Sequence, residues 1–442
     1  MNKTFAMISL GCAKNLVNSE QMLYLMNEAG YELVPDPDGA ELVIINTCGF
    51  IDAAKSEAID NILEMAELKK AGRVGGIIVT GCLTERYQQT IQEELPEIDA
   101  VLGVGSFKDI VAAADSVLEG RQSRYFADNS APVDEIPRVI STGAGWAYLR
   151  IAEGCDNYCA FCAIPYIRGH YRSRSMSNII EEAKDLAAHG IKEVIVIAQD
   201  ITRYGTDLYG KRSLAELCRK LSEIEGIEWI RLHYLYVDQF DDELIDEIAD
   251  NKKIVKYLDI PIQHINNGIL KRMNRRGTGE DIRVLFKKLR ERMPELVIRT
   301  SLIAGLPGEG EAELEELCEF LREAKLQRVG VFPFSPEEGT PAAKMEHCDF
   351  EEAQRRADLI MDMQAGIMDE FCQSMVGKTV DVLCDGYDEE YRMFVGRTYA
   401  DSPDIDGQVV IDGDVREGEL VSVIIDEYED GLWFGHPAED DE

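Results

Sequence analysis

Three cysteines, Cys155, Cys159 and Cys162, stand in the run EGCDNYCAFC with C-x3-C-x2-C spacing. Thiolates are the protein ligands of iron–sulfur clusters, and a [4Fe–4S] unit usually takes four of them. Three close thiols hold three irons and leave the fourth open to a small molecule, so the site is suited to catalysis and not only to carrying electrons. The competing readings are a zinc site or three buried structural thiols. Zinc usually takes four ligands, often paired C-x2-C groups with histidine. No matching fourth cysteine or histidine pair stands nearby, although His170 is not far away.

Cys12, Cys48 and Cys82 form a second, dispersed set. Each follows an apolar, β-branched run: ISLGC, IINTC and IVTGC. If those runs are parallel strands, their C-terminal ends share one edge of a sheet, which is where open α/β sheets bind ligands. Taken singly, each is a buried small hydrophobe. Equivalent placement of all three favours a second cluster, again with three ligands and an open iron able to carry sulfur or a sulfur-containing group. The other five cysteines read as structural, with Cys218, Cys318 and Cys372 on helical stretches and Cys348 and Cys384 near loop or strand ends.

The elements that must position these thiols follow from periodicity. Residues 1–127 alternate buried-strand runs (KTFAMISL, AELVIIN, GGIIVT, AVLGVG) with helical stretches ending in glycine, a pattern that implies a parallel α/β sheet. A polar linker occupies 128–142. From 143 to 374, six strand runs (WAYLRIA, EVIVIAQ, IEWIRLHYL, KYLDIPIQ, LVIRTSLIAG, RVGVFPF) separated by helices read as a partial (βα)6 barrel, and a long helix from Phe350 closes it. From 375 to 442, short strands with turn residues predict a small all-β, OB-like barrel.

The C-x3-C-x2-C run, with Phe161 before its last cysteine, resembles the radical S-adenosylmethionine superfamily. That resemblance implies a partial TIM-like barrel. It also implies S-adenosylmethionine chelated at the open iron and its one-electron cleavage to a 5′-deoxyadenosyl radical. Two three-cysteine sites and a terminal β-module resemble, over nearly the whole chain, the methylthiotransferases, whose C-terminal module is the TRAM domain. The stretches SLGCAKNLVNSE, NTCGFIDAAKSE, GCLTERY, RLHYLY and DIPIQHINNGILKRMNRRG are similar to the branch acting on a ribosomal protein, not to the sister enzymes that modify a tRNA adenosine. The resemblance implies replacement of an aspartate β-hydrogen in small-subunit ribosomal protein twelve by a methylthio group, with two [4Fe–4S] clusters. One makes the radical and the other delivers sulfur.

Charge bears on the substrate independently. The 442-residue chain carries −37, and from Gln373 onward there are four Lys and Arg against twenty Asp and Glu. Such a module repels phosphate and attracts a basic protein, so no direct tRNA binding is expected. An acidic proteome would give the same sign, though with less concentration in one module. A reductase or flavodoxin-type electron donor completes the expected partners. Eleven cysteines, an odd number at low density, fit a reducing cytoplasm. No apolar run is long enough for a membrane span. LGC at Cys12 resembles a lipoprotein cleavage site, but too few residues precede it for a signal peptide.

Cofactor contacts should come from the C-terminal strand ends of the barrel. Gln199 and Asp200, Gln263 and His264, and Ser301 and Gly305 occupy such places, although each could instead be a loop cap. Arg168, Arg172 and Arg174 follow the cysteine run and could bind a carboxylate of cofactor or substrate, or remain solvated. The remaining alternative is a non-catalytic iron–sulfur carrier.

Overall fold

A computed structural model describes residues 3–438. By its contacts the chain forms two compact units. One gathers Met1–Ser141, Ala152–Arg174 and Ser335–Ala343; the other gathers Thr142–Ile151, Ser175–Phe334 and Lys344–Glu442. The units do not follow the sequence segments 1–127, 128–142, 143–374 and 375–442. The stretch holding Cys155, Cys159 and Cys162 packs with the N-terminal sheet.

In the first unit six strands pair in parallel in the order β2-β1-β3-β4-β5-β6. They are β1 (Lys3–Ser9), β2 (Tyr31–Leu33), β3 (Leu42–Thr47), β4 (Gly76–Gly81), β5 (Ala100–Leu102) and β6 (Ser123–Tyr125). All six residues of β3 and of β4 are buried. Successive side chains point to opposite faces, so Val43, Ile45, Ile77 and Val79 pack with Ala58, Ile62 and Met65 of α2 (Asp52–Lys70). Leu42, Ile44 and Ile78 pack with Met22, Leu23 and Met26 of α1 (Ala13–Glu28). Burial on both faces explains the unbroken apolar runs, and each large side chain contributes about 1.5–3 kcal/mol relative to exposure. Two strands of this sheet were missed in the sequence: β2 and β6 are three-residue edge strands that are largely exposed or half-buried.

In the second unit the strands Trp146–Arg150, Glu193–Ile197, Trp229–Leu232, Ile254–Asp259, Val297–Ala304 and Arg328–Pro333 pair in parallel in sequence order. This is the expected six-strand series. The run KYLDIPIQ leaves the ladder at Asp259 instead of continuing to Gln263. Pro261 has no N–H to donate, and Gln263 rejoins only as an isolated bridge to Leu302. The helix Phe350–Gln373 leads to a closed barrel of strands Thr379–Asp388, Met393–Thr398, Val409–Ile411, Leu432–Pro437 and Leu420–Glu429. The fifth of these in sequence, Leu432–Pro437, was not expected because Gly435, His436 and Pro437 mask its alternation. Closure leaves no edge strand to aggregate.

A buried ion network joins this barrel to the starts of the parallel strands. Glu193 accepts from Arg231 Nε at 2.6 Å and Arg397 Nη1 at 2.8 Å, and all three side chains are at most 2% exposed. Arg397 also holds Asp385, and Arg328 holds Asp401. Tyr257 donates to Asp406 at 2.7 Å. Burial opposes ionisation of Glu193, but Arg231 and Arg397 outweigh it and hold its carboxyl below the usual carboxylate range. Its contribution is therefore complete at neutral pH and is lost as pH falls through that lowered value. Glu193→Gln leaves two buried guanidiniums short of their anion and should cost about 3–5 kcal/mol, read as a lower urea midpoint.

Candidate metal centres

The first centre is built by parallel pairing. β1 pairs with β3 through Ser9 opposite Asn46, and β3 pairs with β4 through Thr47 opposite Gly81. The chain therefore leaves all three strands at one edge, and Cys12, Cys48 and Cys82 lie there. Two glycines set how close they come. A Cβ on Gly11, which has φ of +90°, would meet Cys48 Cβ at 2.8 Å, and a Cβ on Gly49 would meet Leu83 Cα at 2.7 Å. Asn15 laces the edge together. Its Nδ2 donates to the carbonyls of Leu10 at 3.2 Å and Thr47 at 2.9 Å, while its Oδ1 accepts from Cys82 Sγ at 3.6 Å.

The three thiols differ in exposure and electrostatics. Cys12 is exposed, Cys48 half-buried and Cys82 buried. Cys12 occupies the N-cap position of the 16-residue helix α1, where the helix end favours an anion. Desolvation opposes its thiolate, but Lys14 and Arg168 outweigh that, so its thiol is held below the usual value. Burial pushes the Cys48 thiol up, with the Cys12 charge adding to it. Burial pushes Cys82 up to about 11 against the pull of Arg168. All three thiols thus feel Arg168, and Cys48 and Cys82 also feel another thiol of the set.

The second centre sits on the stretch between the short antiparallel strands Ala152–Glu153 and Arg172–Ser173. Cys155 N–H donates to the Gly169 carbonyl at 3.1 Å, and Cys162 N–H donates to the Cys159 carbonyl at 3.0 Å, folding the C-x2-C pair into a turn. Cys155 and Cys159 are buried; Cys162 and Phe161 are half-buried. Tyr158 and Tyr166 stand exposed beside them, edge to face at 6.1 Å. The segment Ser335–Ala343 is fastened across this region. Ala342 N–H donates to the Ala160 carbonyl. Glu337 accepts from Lys55 at 3.0 Å and from Arg86, on the short helix α3 (Cys82–Arg86), at 2.8 Å.

The two centres are neighbours. Cys82 packs with Ala163 and Ile167, which directly follow the second cysteine set. Arg168 donates to Glu153 at 2.9 Å and to Asn15 Oδ1. Arg168 and Arg174 are buried, and Arg174 is paired with Glu135, so neither is solvated. Arg172 donates to the carbonyls of Arg168 and His170, and burial lowers its pKa.

The donor sets fit clusters. Each consists of three thiols, and the first has a buried cation to balance an anionic assembly. Zinc, at ~2.3 Å from each sulfur, draws its ligands to within roughly 4 Å of one another. Among the described residues no three His, Cys, Asp or Glu side chains are grouped to hold a single ion.

The remaining candidates lie in the second unit. Gln199 and Asp200 follow the strand Glu193–Ile197. Asp200 is buried and caps its own turn, accepting from Thr202 N–H at 3.1 Å. Gln263, with φ of +70°, donates its N–H at 2.9 Å to the carbonyl of Ser301, which lies within the strand Val297–Ala304 and not at its end. His264 is fully buried with Nε2 3.3 Å from Glu309. Gly305 N–H donates to Glu309, and a Cβ there would crowd Ala353 and Cys348. Asp200, His264 and Gly305 thus hold their own loops. Cys218, Cys318, Cys372 and Cys384 are buried, and Cys348 is half-buried against the Gly305 carbonyl at 3.7 Å.

Residues 4–103 match the uncharacterized protein family UPF0004, residues 149–321 the radical SAM superfamily and residues 376–434 the TRAM domain. The ribosomal protein uS12 methylthiotransferase RimO of Lachnoclostridium phytofermentans is 48% identical over 425 residues, covering 95% of this chain and 96% of that protein. The chain belongs to the RimO family. The RimO of Acetivibrio thermocellus is 47% identical over 444 residues, 97% of this chain and 98% of its own, and that of Clostridium botulinum is 46% identical over 422. Among solved structures, the radical S-adenosylmethionine methyltransferase TsrM of Kitasatospora setae superposes with a TM-score of 0.58 at 15% identity, covering 77% of each chain. The cobalamin-dependent radical enzyme OxsB gives 0.51 at 12% identity, over 83% of this chain and 56% of its own. These two likenesses concern the fold alone.

What the sequence reading of this RimO-family chain missed is Asn15 and the particular role of Arg168. An asparagine after a glycine-cysteine pair reads as a helix start, and an arginine among three reads as a ligand clamp. Gly49→Ala should push α3 off the edge through Leu83. The expected readout is iron falling from about eight toward about four per chain, with the second centre retained.

Proposed function

We infer that this chain is a radical S-adenosylmethionine methylthiotransferase that replaces a β-carbon hydrogen of an aspartate in ribosomal protein uS12 by a methylthio group. The observation that carries this reading is the meeting of two three-thiol sets in one compact unit, one set from three strand ends and the other from one loop. An aspartate β-hydrogen is barely acidic, so no acid–base pair in the chain removes it readily, and the hard chemistry belongs to cofactors. Cys155, Cys159 and Cys162 would hold a cluster whose chemistry is one-electron cleavage of S-adenosylmethionine, Cys12, Cys48 and Cys82 would hold one that supplies the sulfur, and a second S-adenosylmethionine would supply the methyl group.

The chain's own residues hold and orient. Asn15 and the glycines at the sheet edge keep three thiols together, and the turn at Cys159–Cys162, with Cys155 tied to Gly169, presents the other three. Phe161 and Arg172 lie beside the second centre as candidate cofactor contacts. Gln199, Gln263 and Ser301, half-buried at or near barrel strand ends, keep that candidacy better than Asp200 and Gly305, whose polar groups serve their own turns. The acidic C-terminal module, bounded near residue 375, fits a basic protein substrate and disfavours tRNA. A flavodoxin-type donor or reductase supplies electrons, in the cytoplasm. Among the described residues no helix is long and apolar enough to cross a membrane.

Mass spectrometry of uS12 from a strain lacking this gene tests the assignment. The methylthio-aspartate mass should vanish. Wild type should restore it, and neither triple Cys→Ala variant should. Persistence of the modification in the deletion strain overturns the reading. Anaerobic reduction with S-adenosylmethionine should release 5′-deoxyadenosine, which a mere iron–sulfur carrier does not do.

A further inference from the structure

Arg168 is 2% exposed and ends the short helix Ile164–Arg168. One arm of its guanidinium donates to the Glu153 carboxylate at 2.9 Å, and the other donates to Asn15 Oδ1. That same oxygen accepts from Cys82 Sγ at 3.6 Å, and the Asn15 amide is pinned to the carbonyls of Leu10 and Thr47 at the ends of β1 and β3. The guanidinium therefore reaches the first centre through one shared acceptor. Its backbone belongs to the stretch that carries the second centre, and Ala163 and Ile167 press that stretch onto Cys82.

We propose that Arg168 is a positioning residue for the N-terminal centre: a fixed cation that balances the charge of a cluster on Cys12, Cys48 and Cys82, sets its reduction potential, and holds it in register with the Cys155–Cys162 loop. The proposal rests on the two-centre reading above. Arg168 gives one arm to Glu153 and turns the other to the Asn15 amide beside Cys82, and a three-thiolate [4Fe–4S] assembly there carries about −1, and about −2 once reduced. At its buried member, Cys82, each added negative charge is costly unless a cation lies near. Arginine suits the task because its planar fork meets two acceptors in fixed geometry, which a lysine ammonium does not.

The test uses the full-length chain with Cys155→Ala, Cys159→Ala and Cys162→Ala, which leaves only the N-terminal centre. After anaerobic reconstitution, iron is counted and the reduced-cluster resonance is titrated against potential. Arg168→Gln should move the midpoint to more negative potential, because the reduced state loses its cation. Arg168→Lys should recover most of that shift. Glu153→Gln removes an anion from the same site and should move the midpoint the opposite way. A parent-like midpoint in Arg168→Gln, or equal-signed shifts in the Gln variants of Arg168 and Glu153, overturns the proposal, since packing damage has no charge sign. If Arg168→Gln fails to load iron, normal loading of Arg168→Lys supports the charge role and failure of both overturns it. A parent that holds no iron overturns the two-centre reading itself, and this proposal with it.

Discussion

Parallel strand pairing decides where the sulfur atoms of the N-terminal centre go. Strands β1, β3 and β4 are hydrogen-bonded neighbours running the same way, so three residues widely separated in sequence emerge at one level. Reversing one strand would send its cysteine to the opposite edge, and slipping one by a residue would turn its side chains to the other face. The residues that tighten the edge, Gly11, Gly49 and Asn15, work only because that register already holds. The sheet is accordingly packed on both faces, with α1 on one and α2 on the other, and its central strands admit no water.

Burial brings a second constraint. Thiols placed at a dry edge resist ionisation, as at Cys48 and Cys82, yet thiolates are the form that binds metal. The fold answers with local positive potential: the N-terminus of α1 and Lys14 at Cys12, and one guanidinium within reach of all three. That guanidinium comes from the stretch of chain that also carries Cys155, Cys159 and Cys162, so one side chain links the two cysteine sets.

Much of this was legible in the sequence because chemistry and periodicity coincide there. The runs before Cys12, Cys48 and Cys82 are β-branched and continuous, and EGCDNYCAFC is compact enough to read directly. The six barrel strands and the long helix from Phe350 were equally plain. What escaped depends on partners distant in sequence. Tyr31–Leu33 and Ser123–Tyr125 are strands only because a neighbour offers them an edge, and Leu432–Pro437 because closure of a barrel demands a fifth member. Arg168 looks like a surface charge until the sheet edge that buries it is in place. Grouping of the 152–174 stretch with the N-terminal sheet, across a sequence boundary, has no local signal at all.

The ion network at Glu193, Arg231, Arg328 and Arg397 has an evolutionary consequence. Small β-modules are often regarded as interchangeable appendages, acquired or traded by recombination at a linker. Here the acidic module supplies Arg397, Asp401 and Asp406 to partners at or near the starts of the parallel strands, in places closed to water. A transplanted module lacking those side chains would leave Glu193 with Arg231 alone and Arg328 without its carboxylate in a dry interior. The terminal module can therefore drift in surface charge, but it can be exchanged only together with residues lying far outside its own boundaries.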